Sequence, residues 1–207
     1  MKKYFLLGFI TLLLTSCGAK IYTHSAASDL IKNHKTIAII PPQVSIAAQR
    51  NVDAASMMEQ QRTESANFQR EMYSWLLRRK QQGRLTVDIQ SVDETIAKLT
   101  RAGFYEGQGA GMTPTELAQI LGVDAVLTSN YSLSRPMSQG AAVAMAVLVG
   151  AFGPTARTDI NLNLHDAATG TMFWNYSHRA SGSFTSPAAL VDNLMKHASK
   201  RLPYDRK

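Results

Sequence analysis

The sequence predicts an α/β (α+β) fold: a mixed sheet of about five strands with helices packed mainly on one face, ending in a C-terminal β-hairpin followed by a helix. Three observations predict it. Thr36-Ile37-Ala38-Ile39-Ile40 is a β-branched apolar run stopped by Pro41-Pro42, the pattern of a buried central strand. Helix-start signals at Ser91 and Thr113 alternate with further strand runs. Residues 159 to 181 alternate apolar and polar on both sides of Asp166-Ala167-Ala168-Thr169-Gly170, which reads as an antiparallel hairpin.

The chain opens with Lys2 and Lys3 and an apolar run from Tyr4 to Leu14, then Leu14-Thr15-Ser16-Cys17. A basic start, a short apolar middle and small residues form a secretory signal. The run is too short for a spanning helix, which needs about 20 apolar residues. Leu-Thr-Ser-Cys resembles a bacterial lipobox. That resemblance implies cleavage before Cys17, diacylation of its thiol, and a bacterial membrane as the first partner. No acid follows Cys17 directly. By resemblance to Gram-negative sorting, this favours an outer membrane lipoprotein facing the periplasm. The expected organisation is a leader over 1–16, a lipid-anchored tether over 17–35, and one domain over 36–202. An apolar insertion over 138–156 interrupts that domain, and a basic tail covers 203–207.

Bulk composition narrows the classes. The chain has 207 residues, 45% of them apolar, enough for one domain with a real core. The formal charge is +7, of which the leader supplies two through Lys2 and Lys3. Such a balance reads first as a soluble surface with surplus lysine and arginine, with attraction to anionic envelope polymers or headgroups as the alternative. No nucleic-acid motif accompanies it, so no nucleic acid is expected as partner. Cys17 is the one cysteine, which excludes a disulfide framework and a Cys-rich zinc site.

Beyond the first strand, a long helix is expected from about Ala47 to Gln82, with Phe68, Met72, Trp75 and Leu76 on one face. Ala54, Met57 and Met58 extend that stripe, while Glu59 to Ser65 is wholly polar. Gly83 stops the helix, and Arg78, Arg79 and Lys80 complement its dipole. Leu85-Thr86-Val87-Asp88-Ile89 alternates as a second strand. Ser91 to Glu94 is a capping box before a helix with Ile96 and Leu99, ending at Gly103. The glycine-rich stretch 106–111 lacks the strand and lysine of a phosphate loop and reads as a connector.

Thr113-Pro114-Thr115-Glu116 is a second capping box with proline at the first helical position. Leu117, Ile120 and Leu121 face inward, and Gly122 ends the helix. Val123 to Leu133 is a third strand. In the hairpin, Ile160, Leu162 and Leu164 share one face, as do Met172, Trp174 and Tyr176. Ser186-Pro187 opens a last helix with Leu190, Val191, Leu194, Met195 and Ala198 inward.

Residues 140–153 contain no charge and no polar side chain. As a helix they would extend about 21 Å, against about 30 Å of hydrocarbon. Something must cover Val143, Val147, Leu148 and Phe152, each worth about 1.5–3 kcal/mol of burial. Core packing, self-association into a homo-oligomer and shallow membrane contact all remain open. Those four residues are the candidate interaction set, and self-association is the working hypothesis.

Three motifs then look familiar together: Ile-Ala-Ile-Ile-Pro-Pro after the leader, Thr-Glu-Leu-Ala-Gln-Ile-Leu-Gly-Val-Asp-Ala-Val-Leu-Thr, and Leu-Asn-Leu-His-Asp-Ala-Ala-Thr-Gly-Thr-Met-Phe-Trp. They resemble the superfamily of the TolB amino-terminal domain, the curli-secretion channel lipoproteins, the penicillin-binding-protein activator lipoproteins and related transport-auxiliary lipoproteins. The resemblance spans about residues 36–202 and rests on structural motifs. It implies a fold and a non-enzymatic part in an envelope complex for transport, secretion or peptidoglycan synthesis. Fold alone does not fix function.

The residues point to no catalytic set. There is no Gly-x-Ser-x-Gly elbow and no His-Glu-x-x-His helix. His24 and His34 fall in the expected tether, and His165 and His178 on the hairpin. No catalytic residue, cofactor or metal site is therefore expected. The leading function is a non-enzymatic accessory or assembly lipoprotein. The alternative is an envelope hydrolase or small-ligand binder using the hairpin over 157–181.

Overall fold

A computed structural model describes residues 19–47, 53–106, 111–134, 156–182 and 187–206. In chain order the elements are β1 (Lys20–Thr23), α1 (Ala27–Leu30), β2 (Thr36–Ile39), β3 (Gln43–Ile46), α2 (Ala54–Gln81), β4 (Asp88–Ile89) and α3 (Val92–Arg101). A 3-10 turn (Phe104–Glu106), α4 (Pro114–Leu121), β5 (Ala125–Ser134), β6 (Ala156–Asp166), β7 (Met172–Gly182), α5 (Pro187–Ala198) and a second 3-10 turn (Ser199–Arg201) follow.

The seven strands form one mixed sheet in the order β1-β7-β6-β5-β2-β4, with β3 also paired to β5. β2 runs parallel to β4 and β5, whereas β5, β6, β7 and β1 pair antiparallel. β2 is the strand that the sequence announced. Ile37 and Ile39 join one apolar cluster, while Ala38 and Ile40 join another. A strand buried on both sides needs cover on both sides. Phe68, Met72 and Leu76 of α2 and Val191, Leu194 and Met195 of α5 cover the first face. Leu99 of α3 and Leu117, Ala118 and Leu121 of α4 cover the second. The two larger helices thus share one face.

The caps act as read, with one difference. Thr113 accepts from Glu116 N, and Glu116 reaches back to Thr113 N at 2.7 Å, a complete capping box. Ser91 caps α3 through Glu94 N, but Glu94 pairs with Lys98 instead of reaching back. Gly83 adopts φ +68°, where the chain leaves α2 through an Arg84 N to Arg79 O bond. The basic cluster before it is taken up residue by residue. Arg78 lies over the Trp75 ring, Arg79 pairs with Asp205, and Lys80 pairs with Asp88.

Five expectations are corrected. The tether over 17–35 is not free where described: Lys20–Thr23 pairs with β7 from Ser177 to Trp174, and Ala27 is buried. Within the basic tail over 203–207, Tyr204 is buried and Asp205 is bridged to Leu85. That bridge replaces most of the expected second strand, leaving only Asp88–Ile89 in the sheet. The apolar stripe of α2 starts at Phe68, and Ala54 and Met58 are exposed, although the polar stretch 59–65 stays helical. On β7, Met172 is exposed and Phe173 is buried beside Trp174. A β-bulge causes this last change: Leu164 pairs with Trp174 but His165 with Met172, so Phe173 is the extra residue. The residues before 19, including Cys17, and the apolar segment with Val143, Val147, Leu148 and Phe152 lie outside the described residues.

The bulge brings Phe173 onto a buried polar clasp. His34 Nε2 meets Asp166 Oδ1 at 2.8 Å, and His34 Nδ1 meets the Tyr204 hydroxyl at 2.6 Å. A carboxylate only accepts, so Nε2 donates and Nδ1 accepts from the tyrosine O–H. Asp166 Oδ2 takes the Thr169 N–H at 2.7 Å and hydroxyl at 2.6 Å, closing the hairpin turn. Gly170 completes that turn at φ +70°, where a Cβ would come 2.8 Å from Thr115 Oγ1. Phe173 stands edge-on to both His34 and Tyr204. The clasp therefore joins a segment before β2, the hairpin turn and the C-terminal segment.

Two outcomes test this core. Trp174→Ala removes a fully buried indole and should cost about 3–5 kcal/mol, read from chemical denaturation. Burial works against the charged form of Asp166, but the hydrogen bonds from Thr169 and His34 outweigh it and hold the carboxyl below its ordinary value of 3.8. The clasp's stability is then present above that value and disappears as pH falls through the lowered one. Asp166→Asn should cost about 2 kcal/mol at pH 7 and nothing further in acid. The gap between the denaturation curves of the two proteins should close as pH falls below the ordinary carboxyl value; a constant gap would mean that the carboxylate charge contributes nothing.

Candidate functional site

β2 is where the chain's connections change face. The crossover from β2 to β4 runs over one face through α2, and the return from β4 to β5 runs over the other through α3 and α4. Connections that diverge in this way leave a crevice outside the carboxyl end of the strand. The protein has a cavity of about 360 Å³ there. Pro41, Pro42 and Gln43 form its floor directly after β2. Gln61, Arg62, Ser65 and Gln69 of α2 form one wall, and Ile96, Phe104 and Tyr105 the other.

Local chemistry explains the shape. Two prolines in succession stop β2 and hold the chain extended. The strand line then resumes as β3, which continues along the same edge of β5. Two of the polar wall residues serve the fold: Gln69 Nε2 donates to Ile39 O at 2.7 Å, and Ser65 Oγ donates to Pro42 O at 2.7 Å. Those bonds give two backbone carbonyls at the end of β2 side-chain partners. Phe104 and Tyr105 pack edge to face at 5.2 Å between centroids.

The mouth is apolar and uncovered among the described residues. Met58 is 55% exposed and Tyr105 is 49% exposed. Burial raises the Tyr105 hydroxyl above its ordinary value, so it is a hydrogen-bonding phenol at neutral pH. Arg62 is exposed and forms no ion pair among the described residues. The groove thus offers apolar contact, one phenol and one fixed cation. That set is chemically complementary to an apolar group carrying a negative charge. It does not supply a matched acid and base.

Sequence reasoning expected its site elsewhere. His165 sits opposite Val126 and Met172, and burial lowers its pKa. His178 sits opposite Ile160, lowered by burial and then by His197. The hairpin does not bring these two histidines together. The one histidine held by a carboxylate and a phenol is His34, and that set is sealed in the core. No group of three His, Cys, Asp or Glu suited to a metal occurs among the described residues. No described helix is long and apolar enough to cross a membrane. The groove had one sequence signal, the double proline ending a buried strand.

No protein-family profile matches the sequence, and no curated protein matches it. Solved structures do. The chain is similar to lipoprotein GNA1162 from Neisseria meningitidis, with 15% identity over 81% of this chain and 96% of that one, at a TM-score of 0.44. It is similar to PelC from Paraburkholderia phytofirmans, a dodecamer, with 11% identity over 92% and 99% and a TM-score of 0.45. It is also similar to the LpoB C-terminal domain from Salmonella enterica, with 13% identity over 76% and 93% and a TM-score of 0.36.

Proposed function

We propose that this chain is a non-enzymatic, lipid-anchored accessory or assembly protein of a bacterial cell-envelope complex. Its anchor is Cys17, at the periplasmic side of the outer membrane. Its docking site is the groove at the carboxyl end of β2, which takes an apolar segment of the partner with an acidic residue against Arg62. One observation carries this reading: Gln69 and Ser65 are committed to holding the backbone, while Met58 and Tyr105 stand exposed at the mouth. Uncommitted apolar surface beside a lone cation suits a protein partner. The lipobox and the three superfamily-like motifs support the same class. Val143, Val147, Leu148 and Phe152 are proposed as a separate self-association surface. A cavity of about 360 Å³ also suits a small apolar ligand, which is the second reading.

Two measurements test the proposal. Cys17→Ser should leave the protein unprocessed or soluble; full membrane partitioning after leader cleavage would refute the anchor. A photocrosslinking residue at Met58 or Tyr105, introduced in cells, should trap the same envelope protein, and one at exposed Arg101 should not. Met58→Asp should remove the Tyr105 adduct at unchanged thermal stability. Adducts to small lipophiles alone would favour the ligand reading.

A further inference from the structure

The expected tether is mostly absent, and this constrains how the protein sits on its membrane. Cys17 stands three residues before Lys20, so at most about 11 Å of chain separates them. Lys20 already belongs to β1, which is bonded into the sheet through β7. A lipid on Cys17 therefore holds the β1 edge close to the bilayer.

That edge has the chemistry of an interface. All four residues of β1 are exposed, Ile21 by 43% and Tyr22 by 47%. Ile21 also lines a depression of about 250 Å³ with Lys200, Arg201, Leu202 and Asp205. The Asp205 carboxylate is engaged by Arg79, so it does not neutralise the cations beside it. Lys20, Lys200 and Arg201 form no ion pair among the described residues. Lys196, on the last turn of α5, is exposed as well. An isoleucine, a tyrosine, lysines and one arginine near the proposed lipid attachment point match the headgroup region, where aromatic rings and basic side chains both settle.

We infer that the β1 edge, with Lys20, Ile21, Tyr22, Lys200 and Arg201, is a binding surface for anionic lipid headgroups that fixes the domain's orientation on the bilayer. The inference rests on the Cys17 anchor proposed above. Each surface cation contributes about fivefold to partitioning onto an anionic leaflet. A short edge strand carrying a lysine is a poor template for another strand, which disfavours a second copy there.

The test uses the full chain, processed in bacteria and reconstituted into vesicles of phosphatidylethanolamine and phosphatidylglycerol. Mass spectrometry of the N-terminal peptide first establishes acylation of Cys17. Because Cys17 is the one native cysteine, Tyr22→Cys and Tyr105→Cys each supply a single thiol for a fluorophore. Brominated lipids should quench the label at 22 and leave the label at 105 unchanged. Lys200→Glu with Arg201→Glu should reduce quenching at 22 to the level at 105. Acylated Cys17 with no more quenching at 22 than at 105 overturns the headgroup surface and leaves the anchor standing. Shielding of position 22 from both lipid and aqueous iodide indicates a second copy on β1 and also overturns it. An unacylated Cys17 overturns the anchor and this orientation together.

Discussion

Burial of β2 on both faces is the constraint on which the remaining architecture depends. Ile37, Ala38, Ile39 and Ile40 point alternately to two apolar clusters, and each cluster needs its own helices. A chain with three parallel strands at β5, β2 and β4 can supply both layers only if its crossovers pass over opposite faces. The crevice at the end of β2 is then a consequence of connectivity. The double proline ends β2 at this crevice, and Gln69 and Ser65 tie α2 to it through the Ile39 and Pro42 carbonyls. The groove is thus a by-product of the same burial that stabilises the core, which is why its walls are rigid elements.

The antiparallel half obeys a different logic. On the face shared with α2 and α5, the antiparallel strands contribute Tyr131, Ile160, Leu162, Trp174 and Tyr176, while Val126 of β5 is buried under α4 on the other. Phe68 stacks on Tyr131 at 3.8 Å between centroids, with Met72 beside the hydroxyl. The His34–Asp166–Tyr204 clasp then secures the end of this half where the bulge occurs. A buried polar set of this kind is costly unless every member is satisfied. Here the carboxylate takes both the His34 ring and the Thr169 turn, and the tyrosine meets the remaining ring nitrogen. Such a set adds specificity to packing: it fixes which segments meet, since a shifted register would leave a buried charge unpaired.

Much of this was legible in the sequence, for identifiable reasons. Residues that encode a local rule were readable: the alternation of Ile160, Leu162 and Leu164, the Thr113 to Glu116 box, the Gly83 and Gly122 stops, and the β-branched run of β2. Features decided by tertiary partners were not. Lys20–Thr23 is too short and polar to announce a strand, and becomes one only because β7 offers its edge. β3 is hidden behind two prolines. Phe173 obeys no alternation, because the bulge inserts it as an extra residue against the His34 ring. His34 and Tyr204 are 170 positions apart and carry no mutual signature. The groove follows suit: its floor is a local motif, while Tyr105 and Met58 come to it from separate helical elements.

The arrangement of strands also sets the distance between the two proposed surfaces. β1 is one edge of the sheet, and β2 follows β7, β6 and β5. Four inter-strand spacings of about 4.8 Å separate β1 from β2 by about 19 Å. With the β1 edge at the headgroups as proposed, the sheet becomes a rigid spacer that carries the groove beyond the headgroup layer. A flexible tether would let the groove sample many heights. Anchoring through a strand removes that freedom, and a partner of fixed height then meets Met58 and Tyr105 without a conformational search. With Cys17 as the proposed anchor, the short link to Lys20 assigns orientation to the sheet and attachment to the lipid.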